Sequence, residues 1–204
     1  MPRRDLLYAA SVSILTTVFL FPTLINTGSL DKLPLSPILI LAAYPLLATF
    51  GTFVAYFLGK RLAILWQFSK FALVGVCNTA IDFGILNLLI LVTNITSGVR
   101  IIPLNITSYS IALLNSYFWN KRWVFSASKG SFLAFVAVTL VGLGINTGIV
   151  FALTTFADPM FGLDETLWAN LAKVFATVIS LVWNFMGYRI IVFGSSKKQA
   201  AVSS

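Results

Sequence analysis

The stretch KFALVGVCNTAIDF, residues 70–83, decides the architecture because it occurs twice. Its Asn78-Thr79 pair returns as Asn146-Thr147 in LVGLGINTGIVF (140–151), 68 positions further on. At the same offset, SYFWNKRWVF (116–125) returns as NFMGYRIIVF (184–193). One constant spacing across two separated blocks identifies a duplicated hairpin, with repeats at 70–125 and 138–193. In a membrane protein such a duplication builds a pathway or binding groove at the repeat interface. Polar residues that differ between the copies are then candidates for a specific task.

The chain is 58% hydrophobic and 10% charged, with a mean hydropathy of +0.93. A soluble domain carries about 25% charged residues, so this is an integral membrane protein with no room for a large aqueous domain. The net charge of +8 does not point to nucleic acid, because the basic residues flank apolar runs. They read as orientation signals and contacts with anionic membrane lipids. Histidine is absent, which removes the commonest metal ligand and the usual general base near neutral pH. No phosphate-binding glycine loop is present, and no nucleophile–base set is visible. The sequence therefore predicts neither an enzyme nor a cofactor or metal. Cys77 is the single cysteine, set in an apolar run, and reads as packing.

Six apolar stretches, about 6–26, 36–58, 70–93, 101–121, 131–155 and 167–190, each suffice to span a hydrocarbon core of roughly 30 Å. The expected fold is an all-α polytopic membrane protein. An N-terminal hairpin (1–62) precedes a four-helix core (63–195) made of two parallel two-helix repeats, and a tail (196–204) follows. The first apolar run is too long for a signal-peptide core and reads as a retained span. Of the 14 basic residues, Arg3, Arg4, Lys60, Arg61, Lys70, Lys121, Arg122, Lys129, Arg189, Lys197 and Lys198 fall on one side. Lys32, Arg100 and the acids Asp31, Asp158, Asp164 and Glu165 fall on the other. Positive-inside orientation then places both termini in the cytoplasm. Pro22 and Pro45 lie inside spans as possible kinks.

Polar residues inside the spans are the candidate site. Lys173 is the most costly, at roughly 2.5–3.5 kcal/mol for a mid-helix lysine; snorkelling or a structural ion pair is the plainer account. Its counterpart in the first repeat is Asn105, so the charge is not duplicated. Asp82 follows Asn78 by four residues and shares its helix face; its counterpart is Val150. An Asp82–Lys173 pair is expected either as internal glue or as part of proton or ligand handling. Lys173, Thr177, Ser180 and Asn184 form a polar stripe at steps of four, three and four. Asn105, Ser108 and Ser116 repeat it more weakly, and Asn78 and Asn146 add amides. For any single serine or threonine, interhelical hydrogen bonding is explanation enough. Lys121 and Arg122, matched by Arg189, would bind phosphate at headgroup level or serve only orientation. Gly144 and Gly148, with Gly142 and Gly75, suggest close helix packing. Trp66, Tyr117, Trp119, Trp123, Trp168 and Tyr188 suggest interfacial anchors.

The combined pattern F-x-x-V-G-x-x-N-T-x-x-D-F, W-N-K-R-W-V-F, an Ala-Lys in the last span and N-F-x-x-Y-R-x-x-V-F resembles the GtrA-like family of small membrane proteins. The match covers about 68–193. The same module occurs beside or fused to polyprenyl-phosphate and dolichyl-phosphate sugar synthases. The resemblance implies movement of a polyprenyl-phosphate-linked monosaccharide from the cytoplasmic to the outer leaflet, where a separate glycosyltransferase uses it for a cell-envelope glycan. It places the family's motif residues on Asn78, Asp82, Asn120, Lys121, Arg122, Lys173, Asn184 and Arg189. Ser116 departs from the family's frequent asparagine, and Ile190 and Ile191 replace the aromatic end of the first copy. The N-terminal hairpin lies outside the family core.

The expected substrate-binding set is therefore Asn78, Asp82, Asn105, Ser116, Asn120, Lys121, Arg122, Asn146, Lys173, Thr177, Ser180, Asn184 and Arg189. Expected partners are a polyprenyl-phosphate-linked sugar lipid, membrane lipids, a membrane glycosyltransferase and, from bundle size, a second copy of the chain. Two other readings stand beside this one. One is a non-transporting anchor that recruits a glycosyltransferase, which leaves Lys173 unexplained. The other is a proton-coupled exporter of cations, which a buried lysine opposes.

Overall fold

The computed structural model describes residues 1–26, 36–95, 99–160, 162 and 165–194. Asp31, Lys32, Asp164, Lys197 and Lys198 lie outside them, as do the side chains of Thr147, Val150, Glu165, Trp168, Lys173 and Thr177. Six α-helices occur among the described residues: α1 Arg3–Asn26, α2 Pro37–Gly59, α3 Ala63–Thr93, α4 Ile101–Trp119, α5 Phe132–Phe156 and α6 Glu165–Gly187. Each falls on one expected span, and the chain is an all-α polytopic membrane protein. Arg3–Asn26, Ala42–Gly59 and Ala63–Thr93 are long and apolar enough to cross a membrane by composition alone, and Phe132–Asn146 and Val178–Val192 are shorter apolar stretches.

The helices form two compact units, Met1–Ser126 and Ala127–Ser204. The first holds α1 to α4, so the N-terminal hairpin and the first repeat pack as one body. The second holds α5 and α6, the second repeat.

Small residues set the packing of α1. Ala9, Val12, Ser13 and Thr16 are its buried positions and recur at helical spacing along one face. The Ser13 and Thr16 hydroxyls donate to the carbonyls of Ala9 (2.8 Å) and Val12 (2.9 Å), so both are buried without a polar debt. On α3 the close approach is at Gly84, where a Cβ would strike the Phe19 carbonyl oxygen of α1. Asn87, buried nearby, accepts from Asn26 at 2.7 Å and fastens the end of α1 to α3. Pro37 opens α2 in its first turn, where its missing N–H costs nothing. Asn94, in a left-handed conformation (φ 56°), caps α3 through its N–H to the Ile90 carbonyl. Pro22 and Pro45 sit inside continuous helices.

The duplication reappears in the backbone. α4 runs into a π-helical turn at Asn120–Val124, and α6 runs into one at Tyr188–Val192. These are the same five repeat positions. Both turns close alike, with the Phe125 N–H on the Asn120 carbonyl and the Phe193 N–H on the Tyr188 carbonyl, each at 2.9 Å. Single π-turns in α-helices are rare and concentrate at functional sites.

Three expectations change. α3 begins at Ala63, two turns before the expected start, because Ala63–Ser69 contains no breaker; Lys70 therefore lies inside the helix and is buried. Trp119, Trp123 and Tyr188 are buried rather than lipid-facing anchors, because their places at the π-turns set the rings against neighbouring helices. Finally, a Cβ at Gly75, Gly144 or Gly148 would meet nothing within 4 Å. Of the expected glycines only Gly142 makes a tight contact between helices, and it is joined among the described residues by Gly59, Gly84 and Gly187.

Candidate functional site

In the first unit, the seam between α3 and α4 carries polar rungs through an apolar pair of helices. Asp82 and Asn78 sit one turn apart on α3, about 6 Å along its axis. The Ser108 hydroxyl of α4 donates to Asp82 Oδ1 at 2.7 Å, with the Asn105 carbonyl at 3.0 Å as an alternative acceptor. The Asn115 amide donates to Asn78 Oδ1 at 2.7 Å. Below it, the Asn120 amide reaches the Ser116 carbonyl (2.8 Å) and hydroxyl (3.3 Å). Asp82 and Asn78 are half-buried, Ser108 is fully buried, and Asn105 is exposed. Among the described residues the Asp82 carboxylate has a hydroxyl donor and no cationic partner.

The seam ends at the first π-turn, where Arg4, Lys70, Lys121 and Arg122 gather. A helix C-terminus leaves carbonyls unpaired and carries partial negative charge, which cations stabilise. Here three successive carbonyls are each taken by a side chain from another helix. Arg4 of α1 donates to the Arg122 carbonyl at 2.7 Å. Lys70 of α3 donates to the Trp123 carbonyl at 3.0 Å, and Gln67 of α3 to the Val124 carbonyl at 3.1 Å. Asp5 of α1 accepts from the Trp123 indole N–H at 2.8 Å. The rings of Tyr8, Trp119 and Trp123 meet edge-on at 5.5–6.2 Å. The Lys70 ammonium lies over Trp66 and Trp123, and Arg4 over Tyr8. Arg122 is exposed and Lys121 half-buried, lying over Tyr117. Asn120 is 1% exposed, and its Oδ1 has no hydrogen-bond partner among the described residues. A buried, unpaired acceptor of this kind costs about 1–3 kcal/mol.

The second unit keeps the backbone and changes the chemistry. The Asn146 amide donates to the Ser180 hydroxyl at 3.4 Å. The Trp183 indole donates to the Val138 carbonyl at 3.1 Å. Tyr188 stacks on Phe135 (4.3 Å, 22°) and shares a 2.6 Å hydrogen bond with Thr139. Asn184 Oδ1 is buried with no hydrogen-bond partner among the described residues, and a Cβ at Gly142 would strike it. Arg189 is exposed. Lys173 and Thr177 fall on α6 in register with Ser180 and Asn184, along one helix face.

Comparison by register shows what was not duplicated. The Asp82–Ser108 pair corresponds to Val150 and Ala176, so both partners are apolar in the second copy. Asn78–Asn115 corresponds to Asn146–Trp183, where the conserved asparagine turns to Ser180. Gln67 and Lys70 correspond to Phe135 and Val138.

The structure thus joins Asn78, Asp82, Ser116 and Asn120 to one seam that leads to Lys121 and Arg122, and pairs Asn146 with Ser180. Asn105 contributes its carbonyl rather than its side chain. Arg4, Asp5, Gln67 and Lys70 were missed as parts of this site. Arg4 and Lys70 look like ordinary flanking charges, and only the π-turn gives them a common target. No group of three or more histidine, cysteine or acidic side chains that could hold a metal occurs among the described residues.

The family described as GtrA/DPMS, transmembrane domain, matches residues 70–193. An uncharacterized membrane protein of Bacillus subtilis (strain 168), YngA, is 30% identical over 133 residues, covering 63% of this chain and 80% of the relative. No solved structure matches the chain.

Proposed function

The chain belongs to the GtrA/DPMS transmembrane-domain family, and from that premise we propose that it moves a polyprenyl-phosphate-linked monosaccharide from the cytoplasmic to the outer leaflet of the inner membrane, with both termini in the cytoplasm. The observation that carries this reading is the hydrogen-bonded seam of Asp82–Ser108 and Asn78–Asn115 inside apolar helices, ending at a cationic turn. An isolated charge is prohibitively costly in hydrocarbon. The isoprenoid tail stays in lipid, so only the headgroup needs a polar path open to the side. Lys121, Arg122 and Arg189 capture the phosphodiester at the cytoplasmic mouth. Asn78, Asp82, Asn105, Ser116, Asn120 and Asn146 offer hydrogen bonds to sugar hydroxyls. On α6, Lys173 neutralises the phosphate part way, with Thr177, Ser180 and Asn184 continuing the stripe. No covalent step is assigned. Consumption of the lipid-linked sugar by an outer-leaflet glycosyltransferase drives the direction, and a homodimer would enlarge the path.

The test is flipping in proteoliposomes. A short-chain polyprenyl-phosphate sugar is followed by its exposure to a membrane-impermeant oxidant. Wild type should expose it quickly, and Lys173→Ala and Asp82→Asn slowly. Equal rates in both variants, wild type and empty vesicles would sink the transport reading. They would favour a non-transporting anchor for a glycosyltransferase, to which the exposed Arg122 and the cationic end are also suited.

A further inference from the structure

Three of the four side chains that fasten the first π-turn lie outside the family's shared segment. Residues 70–193 are the matched region; Arg4 and Asp5 belong to α1, and Gln67 precedes the match. The second π-turn has the same backbone but a different fastening, an apolar one. Phe135 stacks on Tyr188, and the Tyr188 hydroxyl meets Thr139. In the first turn Tyr188 is replaced by Asn120, and Phe135 by Gln67. That stack cannot form. In its place the Arg122, Trp123 and Val124 carbonyls and the Trp123 indole are all held by polar side chains.

We propose that Arg4 and Asp5 of α1, braced by Gln67 and Lys70 of α3, form a clamp that keeps this turn in its π form. The clamp thereby positions Lys121 and Arg122 at the mouth of the site. The N-terminal hairpin is then a working part of the site rather than a passive addition. The geometry gives the clamp leverage. Relaxing the π-turn to α-helix shifts the register of the residues that follow Asn120 by one position, a rotation of roughly 100° about the helix axis. Trp123 would swing away from Asp5, and the cations of the turn would be re-aimed. These four are positioning residues. Their effect on substrate rests on the proposed function, whereas the clamp itself does not.

The experiment measures amide hydrogen exchange across both π-turns in nanodiscs, for wild type, Asp5→Ala, Arg4→Gln and Trp123→Phe. Trp123→Phe keeps an aromatic ring and every backbone carbonyl, and removes the indole N–H together with indole's second ring. Each variant should speed exchange at 120–125 by about tenfold, the size of one lost charge-assisted hydrogen bond. Exchange at 188–193 should not change. Asp5→Ala combined with Trp123→Phe should not exceed Trp123→Phe alone, because the bond between the two residues is already lost. In the flipping assay, the same variants should raise the lipid-sugar concentration for half-maximal rate while leaving the maximal rate within about twofold, because a displaced mouth weakens capture without touching the path. Unchanged exchange at 120–125, or equal acceleration at both turns, overturns the clamp. Faster exchange at 120–125 without flipping by wild type keeps the clamp and removes the transport reading. If Asp5→Ala does not yield a monodisperse protein, Arg4→Gln, at an exposed side chain that reaches the Arg122 carbonyl, decides the question.

Discussion

Removing the Ser108 hydroxyl should destabilise the protein, and removing its partner as well should restore it. The bond from Ser108 to Asp82 is 2.7 Å and charge-assisted, and Ser108 is fully buried. Hydrogen bonds to charged groups contribute about 1.5–3 kcal/mol in soluble proteins. Interhelical bonds in one membrane protein average about 0.6 and reach about 1.7. The membrane figure governs here, weighted upward by the charge, so Ser108→Ala should cost about 1–2 kcal/mol. Asp82→Val has the opposite balance. It leaves the Ser108 hydroxyl the Asn105 carbonyl at 3.0 Å as a ready acceptor, and it removes a charge whose insertion costs roughly 2.5–3.5 kcal/mol at a helix centre. The single Asp82→Val should therefore be neutral or stabilising.

The double variant Asp82→Val/Ser108→Ala reproduces the second repeat, which carries Val150 and Ala176 at these positions. It should be at least as stable as wild type. The coupling between the two sites should be about 1–2 kcal/mol, because Ser108→Ala costs nothing once the carboxylate is gone. Thermal unfolding in detergent reads this as a loss of about 2–8 °C for Ser108→Ala, fully recovered in the double variant. Lipid-sugar flipping should be lost in both variants that lack Asp82. Additive melting shifts, or a double variant less stable than Ser108→Ala alone, would refute the claim that the pair is dispensable to the fold and retained for use.

Three further outcomes follow from the packing. Gly84→Ala should disrupt the α1–α3 contact, because its Cβ would strike Phe19 backbone that has no rotamer to yield; the cost should be about 1–3 kcal/mol, read by thermal unfolding. Gly144→Ala and Gly148→Ala meet nothing within 4 Å and should stay within about 0.5 kcal/mol of wild type. Lys70→Met should lower the melting temperature and loosen the first π-turn, since it leaves the Trp123 carbonyl only the longer bond from the Ser126 hydroxyl at 3.3 Å; Lys70→Arg should retain most of the stability by offering a donor to the same oxygen.

The sequence made the helices legible because twenty or so apolar residues have one affordable backbone in lipid, the helix. It made the repeat legible because Asn78-Thr79 and Asn146-Thr147 are literal copies. What it concealed are features set by tertiary contact. Gly84 looks no different from Gly144 in the sequence, yet only Gly84 has a helix backbone against it. Lys70 looks like a flank because the helix start is read from hydropathy, and Trp66-Gln67 lowers the hydropathy without breaking the helix. The π-turns carry no composition signal, since NKRWV and YRIIV share only the valine and a basic residue.

That last difference bears on how the two copies diverged. A π-turn retained at one offset in sequences so unlike does not depend on any one side chain common to both copies. Each copy has then found its own means of holding it. The second uses an aromatic stack, which is insensitive to charge. The first uses Arg4, Lys70 and Asp5, and so places its stability in the same electrostatic currency as a phosphate ligand. The one intramembrane carboxylate with a placed side chain, Asp82, lies in that same copy, while Lys173, whose counterpart is Asn105, lies in the other. An exact duplicate would carry both charges twice, so their division marks positions that diverged after the copy while the shared backbone was kept.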